Sequence, residues 1–211
     1  MTKLLCKGNE FDLGLRGHRC WLELSTGERI DLPVERWSDG AEEGDELLLD
    51  ACTGPTLDIG CGPGRLTAAL TGRGVAALGV DCSRTAVQLT RRRGAVALHR
   101  NVFDRVPGEG RWRHVLLADG NIGIGGNPLT LLRRVAELLG TGGTALVELD
   151  PPGHGIRLEH VRLQPQQDTT SWFTWAWVGV DAVGELAEQA GLAVNWTATR
   201  GQRWFAELVR S

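Results

Sequence analysis

Four residues at alternate positions carry the clearest chemistry in this chain: Asp58, Gly60, Gly62 and Gly64, within the stretch TLDIGCGPGRLTAAL that runs from Thr56 to Leu70. Glycines spaced this way let the backbone turn sharply and lie close against a ligand. The apolar run Leu57-Asp58-Ile59 ahead of them reads as a buried strand, and Arg65 to Leu70 begins a helical period. A strand, a glycine turn and a helix opening form the architecture of a nucleotide-type cofactor site. A turn that holds a pyrophosphate takes G-x-G-x-x-G. Here the third glycine comes one residue early, and Arg65 stands where that pattern wants glycine. Asp58 is an awkward neighbour for a phosphate and a good one for an ammonium or sulfonium cation. Cys61, inside the turn, adds a small polarisable group.

The pattern acid-x-Gly-x-Gly-x-Gly in Asp58, Gly60, Gly62 and Gly64 resembles motif I of the class I S-adenosylmethionine-dependent methyltransferases. The resemblance implies that S-adenosylmethionine is the cofactor. Gly60, Cys61, Gly62 and Gly64 would then lie against its adenosine and methionine portions, with Asp58 toward the amino end. Asp81 closes the apolar run Val75–Val80 and stands 23 residues after Asp58, close to the roughly 20-residue offset of a ribose-binding acid. Cys82 lies beside it, and Asp81 or Ser83 is placed to cap the following helix. At the end of strand three the family usually carries an aspartate for the adenine amino group. This chain has Asn101 there, followed by Val102; the Asn101 oxygen can accept the same bond, and Asp104 is the rival position. Asp119, Gly120 and Asn121 follow strand four, as candidates for cofactor or acceptor contact or as simple turn residues.

These residues need a scaffold, and the periodicities supply one. Strands are expected at Ala95–Leu98, His114–Ala118 and Thr144–Leu149, with a helix from Pro128 to about Leu139 and another over Val180–Ala190. Leu192–Thr199 and Gln202–Val209 close the chain as a hairpin. The expected fold is α/β: a doubly wound, Rossmann-like, mostly parallel seven-stranded sheet with an antiparallel last strand, over residues 53–211. Residues 1–52 read as an N-terminal cap of the same domain. It comprises a hairpin, CWLEL and ERIDL around Ser25-Thr26-Gly27, and a helix over Glu42–Ala51. An aromatic hairpin is inserted after strand five, at 153–179. The Arg91–Arg93 triplet before Gly94 reads as the cationic end of a helix, complementing its dipole.

The acceptor side is less defined. In SWFTWAWVG, Phe173, Trp175 and Trp177 share one strand face while Trp172 points to the other. They form either a wall for an apolar or planar acceptor or the packing of an extra hairpin. Trp37, with Arg36 beside it in the cap, carries the same two readings. A proton-accepting group is sought in His154, His160 and Asp150, with His18 behind them; His99 and His114 flank strands and read as structural. Asp150-Pro151-Pro152 follows strand five and lacks an aromatic residue, so it does not speak for N-methylation.

Composition fits a small-molecule enzyme. The chain has 211 residues, 42% hydrophobic and 23% charged, with a net charge of −3 that argues against a nucleic-acid partner. Five cysteines (Cys6, Cys20, Cys52, Cys61, Cys82) show no CxxC pairing, so neither a metal nor a disulfide framework is expected, and a cytoplasmic setting is. No membrane span or signal segment stands out. The reading is a methyltransferase acting on a small molecule, in metabolism or natural-product tailoring, as monomer or homodimer, with oxygen slightly ahead of nitrogen or carbon as acceptor atom. An NAD(P)-dependent oxidoreductase on a related fold, or a non-catalytic S-adenosylmethionine-binding protein, is the alternative.

Overall fold

The computed structural model describes residues 10–165 and 171–211; Lys3, Cys6 and Lys7 lie outside them. A short helix α1 (Asp12–Leu15) leads to β1 (Cys20–Leu24), β2 (Arg29–Asp31) and α2 (Val34–Ser38). A 3-10 turn (Glu43–Asp45) runs into α3 (Glu46–Ala51). The core then alternates: β3 (Thr56–Ile59), α4 (Arg65–Gly72), β4 (Ala77–Asp81), α5 (Arg84–Arg92), β5 (Ala97–His99) and β6 (Trp112–Leu117). A 3-10 segment over Asn121–Gly126 precedes α6 (Pro128–Leu138) and β7 (Leu139–Leu149). The chain ends with β8 (Ile156–Pro165), β9 (Phe173–Val178), α7 (Val183–Gln189), β10 (Leu192–Arg200) and β11 (Arg203–Arg210).

The period-two alternation of the central strands decides the layers. Val115 and Leu117 pack on one side of the sheet with Leu131 and Val135, while Leu116 packs on the other with Leu66 and Phe205. The same split separates Ala145 and Val147 from Leu146. Helices cover both faces, so β3 is buried at all four positions, as a central parallel strand must be.

The seven-stranded sheet has the order β10-β11-β7-β6-β3-β4-β5. β3 pairs in parallel with β4 and β6, and β11 runs antiparallel to β7 and β10. This is the doubly wound sheet with an antiparallel last strand that the resemblance to class I methyltransferases implies. From β3 the chain winds outward through β4 and β5, then returns to β6 on the other side. That reversal leaves a crevice beyond the carboxyl ends of β3 and β6, where ligands of such sheets bind. Several boundaries differ from expectation by a few residues, and two of them bear on the sheet. β5 begins at Ala97, and β7 begins at Leu139, with the Gly140–Gly143 glycines taken up as an irregularity where the register jumps from Trp112/Leu139 to His114/Thr144.

The N-terminal hairpin and the inserted hairpin form one structure. β1 pairs antiparallel with β8, giving a second, four-stranded sheet of order β2-β1-β8-β9. The inserted hairpin is present as β8 and β9, and the N-terminal hairpin extends it into a sheet of four strands. The physical reason is that β1 and β8 each bury an alternating apolar face, Cys20, Leu22 and Leu24 with Val161 and Leu163, in a common cluster. β9 then rests on the 3-10 segment: a Cβ at Gly123 would lie 2.4 Å from the Ala176 carbonyl.

Candidate active site

The crevice opens into a cavity of about 460 Å³, within the ~300–1,000 Å³ typical of small-molecule sites. Its floor is the glycine turn. Gly60 has φ +69°, and a Cβ there would meet the Asn121 side-chain nitrogen at 2.8 Å. The same Asn121 amide donates to the Ile59 and Gly60 carbonyls at 2.9 and 3.0 Å, tying the loop after β6 to the end of β3. Gly64, at φ +84°, begins α4 and is needed for a different reason. A Cβ would fall 2.5 Å from Thr90 of α5, so this glycine permits two helices to touch and does not line the cavity.

Three of the carboxylates that line the crevice are held by hydrogen bonds. Asp58 is buried and accepts from the Thr67 hydroxyl at 2.6 Å. Burial pushes its pKa up to about 7, the Thr67 bond opposing and Asp119 and Asp81 adding to the rise. Asp81 accepts one backbone N–H on each oxygen, from Gly62 at 3.0 Å and Ser83 at 2.7 Å. Burial raises its pKa against the pull of those two donors. The Ser83 hydroxyl, not Asp81, caps α5 by accepting from the Ala86 N–H at 3.0 Å. That leaves a second lone pair on each Asp81 oxygen for a diol.

Asp119 is different. It has φ +54°, the one positive φ at a non-glycine among the described residues, a conformation that costs free energy and concentrates at functional sites. Its backbone N–H donates to Glu148 at 2.7 Å, and its carboxylate accepts from Arg36 of α2 and Arg65 of α4. Burial would raise its pKa, but the two guanidinium groups outweigh it and hold the carboxyl below the ordinary range. Arg65 is 3% exposed and also binds Asp45, which in turn accepts from Arg203 at 2.9 Å.

The predicted residues sort clearly. Asp58, Gly60, Cys61, Gly62, Asp81, Cys82, Asn101, Val102, Asp119, Gly120 and Asn121 all line the one cavity, and Gly64 does not. Cys61 is a buried neutral thiol, its pKa pushed well up by burial. The Asn101 oxygen accepts from the Phe103 N–H at 3.0 Å, and Asp104 is exposed outside the lining. Trp37, Phe173, Trp175 and Trp177 also line the cavity, joined by Trp172. Phe11 binds this aromatic group together, with ring centroids 6.3 Å from Trp37, 5.9 Å from Phe173 and 5.5 Å from Trp175.

The proton-accepting candidates are not brought to this cavity. His154 and His160 are exposed, and Asp150 is held at the root of the second sheet by a bridge to Gly179; none lines the site. The reason is the strand parity of β8, which turns His160 to the same side as the exposed Ile156 and Leu158. His18 and His99 are exposed, and His114 is tied to Thr144 and Thr53. Glu10, Phe11 and Arg100 are among the lining residues not singled out from sequence. Arg65 had a signal, a charge inside the apolar run of a first helical turn, but its partners lie far away in sequence.

Residues 56–143 match a family model described as a methyltransferase domain. Among solved structures, a SAM-dependent methyltransferase from Bacteroides fragilis in complex with S-adenosyl-L-homocysteine superposes with a TM-score of 0.77 at 21% identity, over 97% of this chain and 94% of that one. A 1,6-didemethyltoxoflavin-N1-methyltransferase from Burkholderia thailandensis gives 0.64 at 18%, over 84% and 81%. A glycopeptide N-methyltransferase complexed with S-adenosyl-L-methionine gives 0.62 at 18%, over 82% and 95%. No curated protein matches the chain in sequence. The solved structures speak for the fold, and the family match covers the part of the core from β3 into β7. The chain has the fold of these methyltransferase structures, and the methyltransferase-domain match falls on its glycine turn and the strands and helices that follow it.

Proposed function

We propose that this class I S-adenosylmethionine-dependent methyltransferase modifies a small, largely apolar and planar molecule of the metabolite or natural-product kind. One observation carries the reading: a single cavity runs from the glycine turn to a chamber walled by Trp37, Phe173, Trp175 and Trp177. The relatives whose names mention a small-molecule or glycopeptide acceptor are in keeping with it.

The lining fits the cofactor. Gly62 leaves its backbone open to the cavity, with nothing closer than 3.7 Å to a would-be Cβ. Asp81 would hold the ribose hydroxyls, Asn101 and Val102 the adenine, and Asp58 the amino end, where an ammonium offsets the cost of its buried charge. When bound, the cofactor supplies an electrophilic methyl group on a sulfonium. The protein's part is alignment and exclusion of water, which together account for much of the barrier lowering in such displacements. Asp119 and the arginines that clamp it fix the loop after β6, which would contribute to holding the cofactor. No nucleic acid or membrane partner enters this reading; among the described residues no helix is long and apolar enough to cross a bilayer. The buried thiols of Cys20, Cys52 and Cys61 suit a reducing, cytoplasmic setting.

Thermal-shift titration tests the core of this. S-adenosylmethionine and S-adenosylhomocysteine should each raise the melting temperature, and NADH should not; the opposite pattern returns the chain to the oxidoreductases. Transfer of a labelled methyl group to a panel of aromatic amines, phenols and thiols then identifies the acceptor.

A further inference from the structure

The four carboxylates that line the cavity are not equivalent. Asp58 is bonded to Thr67, Asp81 to two backbone N–H groups, and Asp119 to two guanidiniums. The fourth, Glu10, makes no hydrogen bond or ion pair with any described residue. It immediately precedes Phe11, the ring that touches Trp37, Phe173 and Trp175, so its backbone lies beside the aromatic half of the cavity, while Asp12, two residues on, accepts from Ser83 and Thr85 at the start of α5. The two cations in the lining stand elsewhere: Arg65 is consumed by Asp45 and Asp119, and Arg100 adjoins Asn101 on the adenine side. Arg157 and Arg162 stack on Trp177 and Trp172 at 4.6 and 4.8 Å without lining the cavity, and Glu159 lies across from Trp175 in the strand register.

The acceptor half thus offers ring faces, which carry negative electrostatic potential, and an uncommitted carboxylate. Both favour a cation and disfavour an anion. Resting on the methyltransferase reading above, we infer that the acceptor atom is a neutral nitrogen, in an amine or N-heterocycle, and that Glu10 is the acceptor-binding carboxylate. In the transfer the nitrogen lone pair forms the new bond to the methyl carbon while the carbon–sulfur bond breaks, its electron pair staying on sulfur. The positive charge therefore passes from sulfur to nitrogen, into the rings and toward Glu10. A proton carried by that nitrogen then leaves to the Glu10 carboxylate and on to solvent. A phenolate acceptor would instead bring negative charge against the same rings and the same carboxylate. The slight sequence preference for oxygen gives way on this ground.

The test uses three probes of one shape and different charge: phenyltrimethylammonium, tert-butylbenzene and benzenesulfonate. Each is titrated by calorimetry into the full chain saturated with S-adenosylhomocysteine, for the wild type and for Glu10→Gln and Glu10→Asp. The ammonium should bind about tenfold tighter than the neutral isostere, with the sulfonate weakest. Glu10→Gln should remove most of that gap while leaving tert-butylbenzene and S-adenosylhomocysteine affinities unchanged, and Glu10→Asp should restore part of it. An equal or tighter fit of the neutral or anionic probe overturns the inference, as does a cation preference that survives Glu10→Gln. Absence of binding by all three overturns it also. Failure to bind S-adenosylhomocysteine is a separate outcome, and it removes the methyltransferase reading itself.

Discussion

The guanidinium of Arg65 donates to the Asp119 carboxylate at 2.6 Å, joining the first turn of α4 to the loop after β6, 54 residues on. Its other arm binds Asp45 ahead of α3, and Arg203 of β11 closes the ring through Asp45 and Glu148. This buried lattice holds the crevice floor, the loop above it and the start of α3 in one geometry.

Removing one member of such a lattice leaves charge without compensation. Arg65→Leu should lower stability by about 3 kcal/mol or more, because Asp45 is fully buried. Denaturant unfolding measures it; a loss under about 1 kcal/mol would mean that Arg203 and Arg36 suffice.

The two glycines of the turn make opposite demands. Gly64→Ala puts a methyl group 2.5 Å from Thr90 at a φ of +84°, so its main effect should be on folding, with a loss of about 2 kcal/mol or more. Gly62→Ala meets nothing closer than 3.7 Å. It should cost only the roughly 1–2 kcal/mol of left-handed strain, yet weaken cofactor binding at least tenfold. Paired melting curves and S-adenosylhomocysteine titrations separate the two.

Asp81→Ala should weaken S-adenosylmethionine binding by about 1–3 kcal/mol, the cost of leaving buried hydroxyls unpaired. Asp81→Asn keeps one acceptor oxygen and should fall between. Unchanged calorimetric affinity in the alanine variant removes the ribose assignment.

Asp58 carries a pH signature. Its folded pKa of about 7 lies above the ordinary 3.8, so between those values the folded state binds more protons than the unfolded one. Stability should therefore fall as pH rises from 4 to 7, by up to about 1.4 kcal/mol per unit from this group, and level off above. Asp58→Asn should flatten that slope. Where the cofactor's ammonium meets Asp58, binding near pH 6.5 should expel a proton, seen as a binding enthalpy that changes with the buffer's ionisation heat and is constant in the variant.

Trp175→Ala should leave cofactor affinity within twofold and raise the acceptor KM about tenfold, in line with aromatic contacts of ~0.5–1.5 kcal/mol. Equal loss of both would assign the ring to packing against Gly123.

What could be read in advance followed distance along the chain. Asp58, Gly60 and Gly62 announce themselves because a strand, a turn and a helix opening are contiguous. Asp81 follows at a spacing set by one strand-helix-strand unit. The Arg36–Asp119 pair and the β1–β8 pairing depend on which remote segments meet, and no local pattern encodes that. Strand parity did identify the shared face of Phe173, Trp175 and Trp177. It did not place His160, because which face of β8 turns inward is fixed only by pairing with β1.

Glu23 of β1 binds Arg162 of β8, although 139 residues separate them. At synthesis rates of about 5–20 residues per second, the first hairpin waits roughly ten seconds on the ribosome before its partner strand exists. Such remote pairing also slows folding in general. The aromatic wall of the cavity is therefore completed only after β3 to β7 and the helices α4 to α6 have been made, with α7, β10 and β11 still to follow. A nascent chain halted before β8 would hold every residue of the glycine turn and lack the wall that Phe173, Trp175 and Trp177 give the cavity.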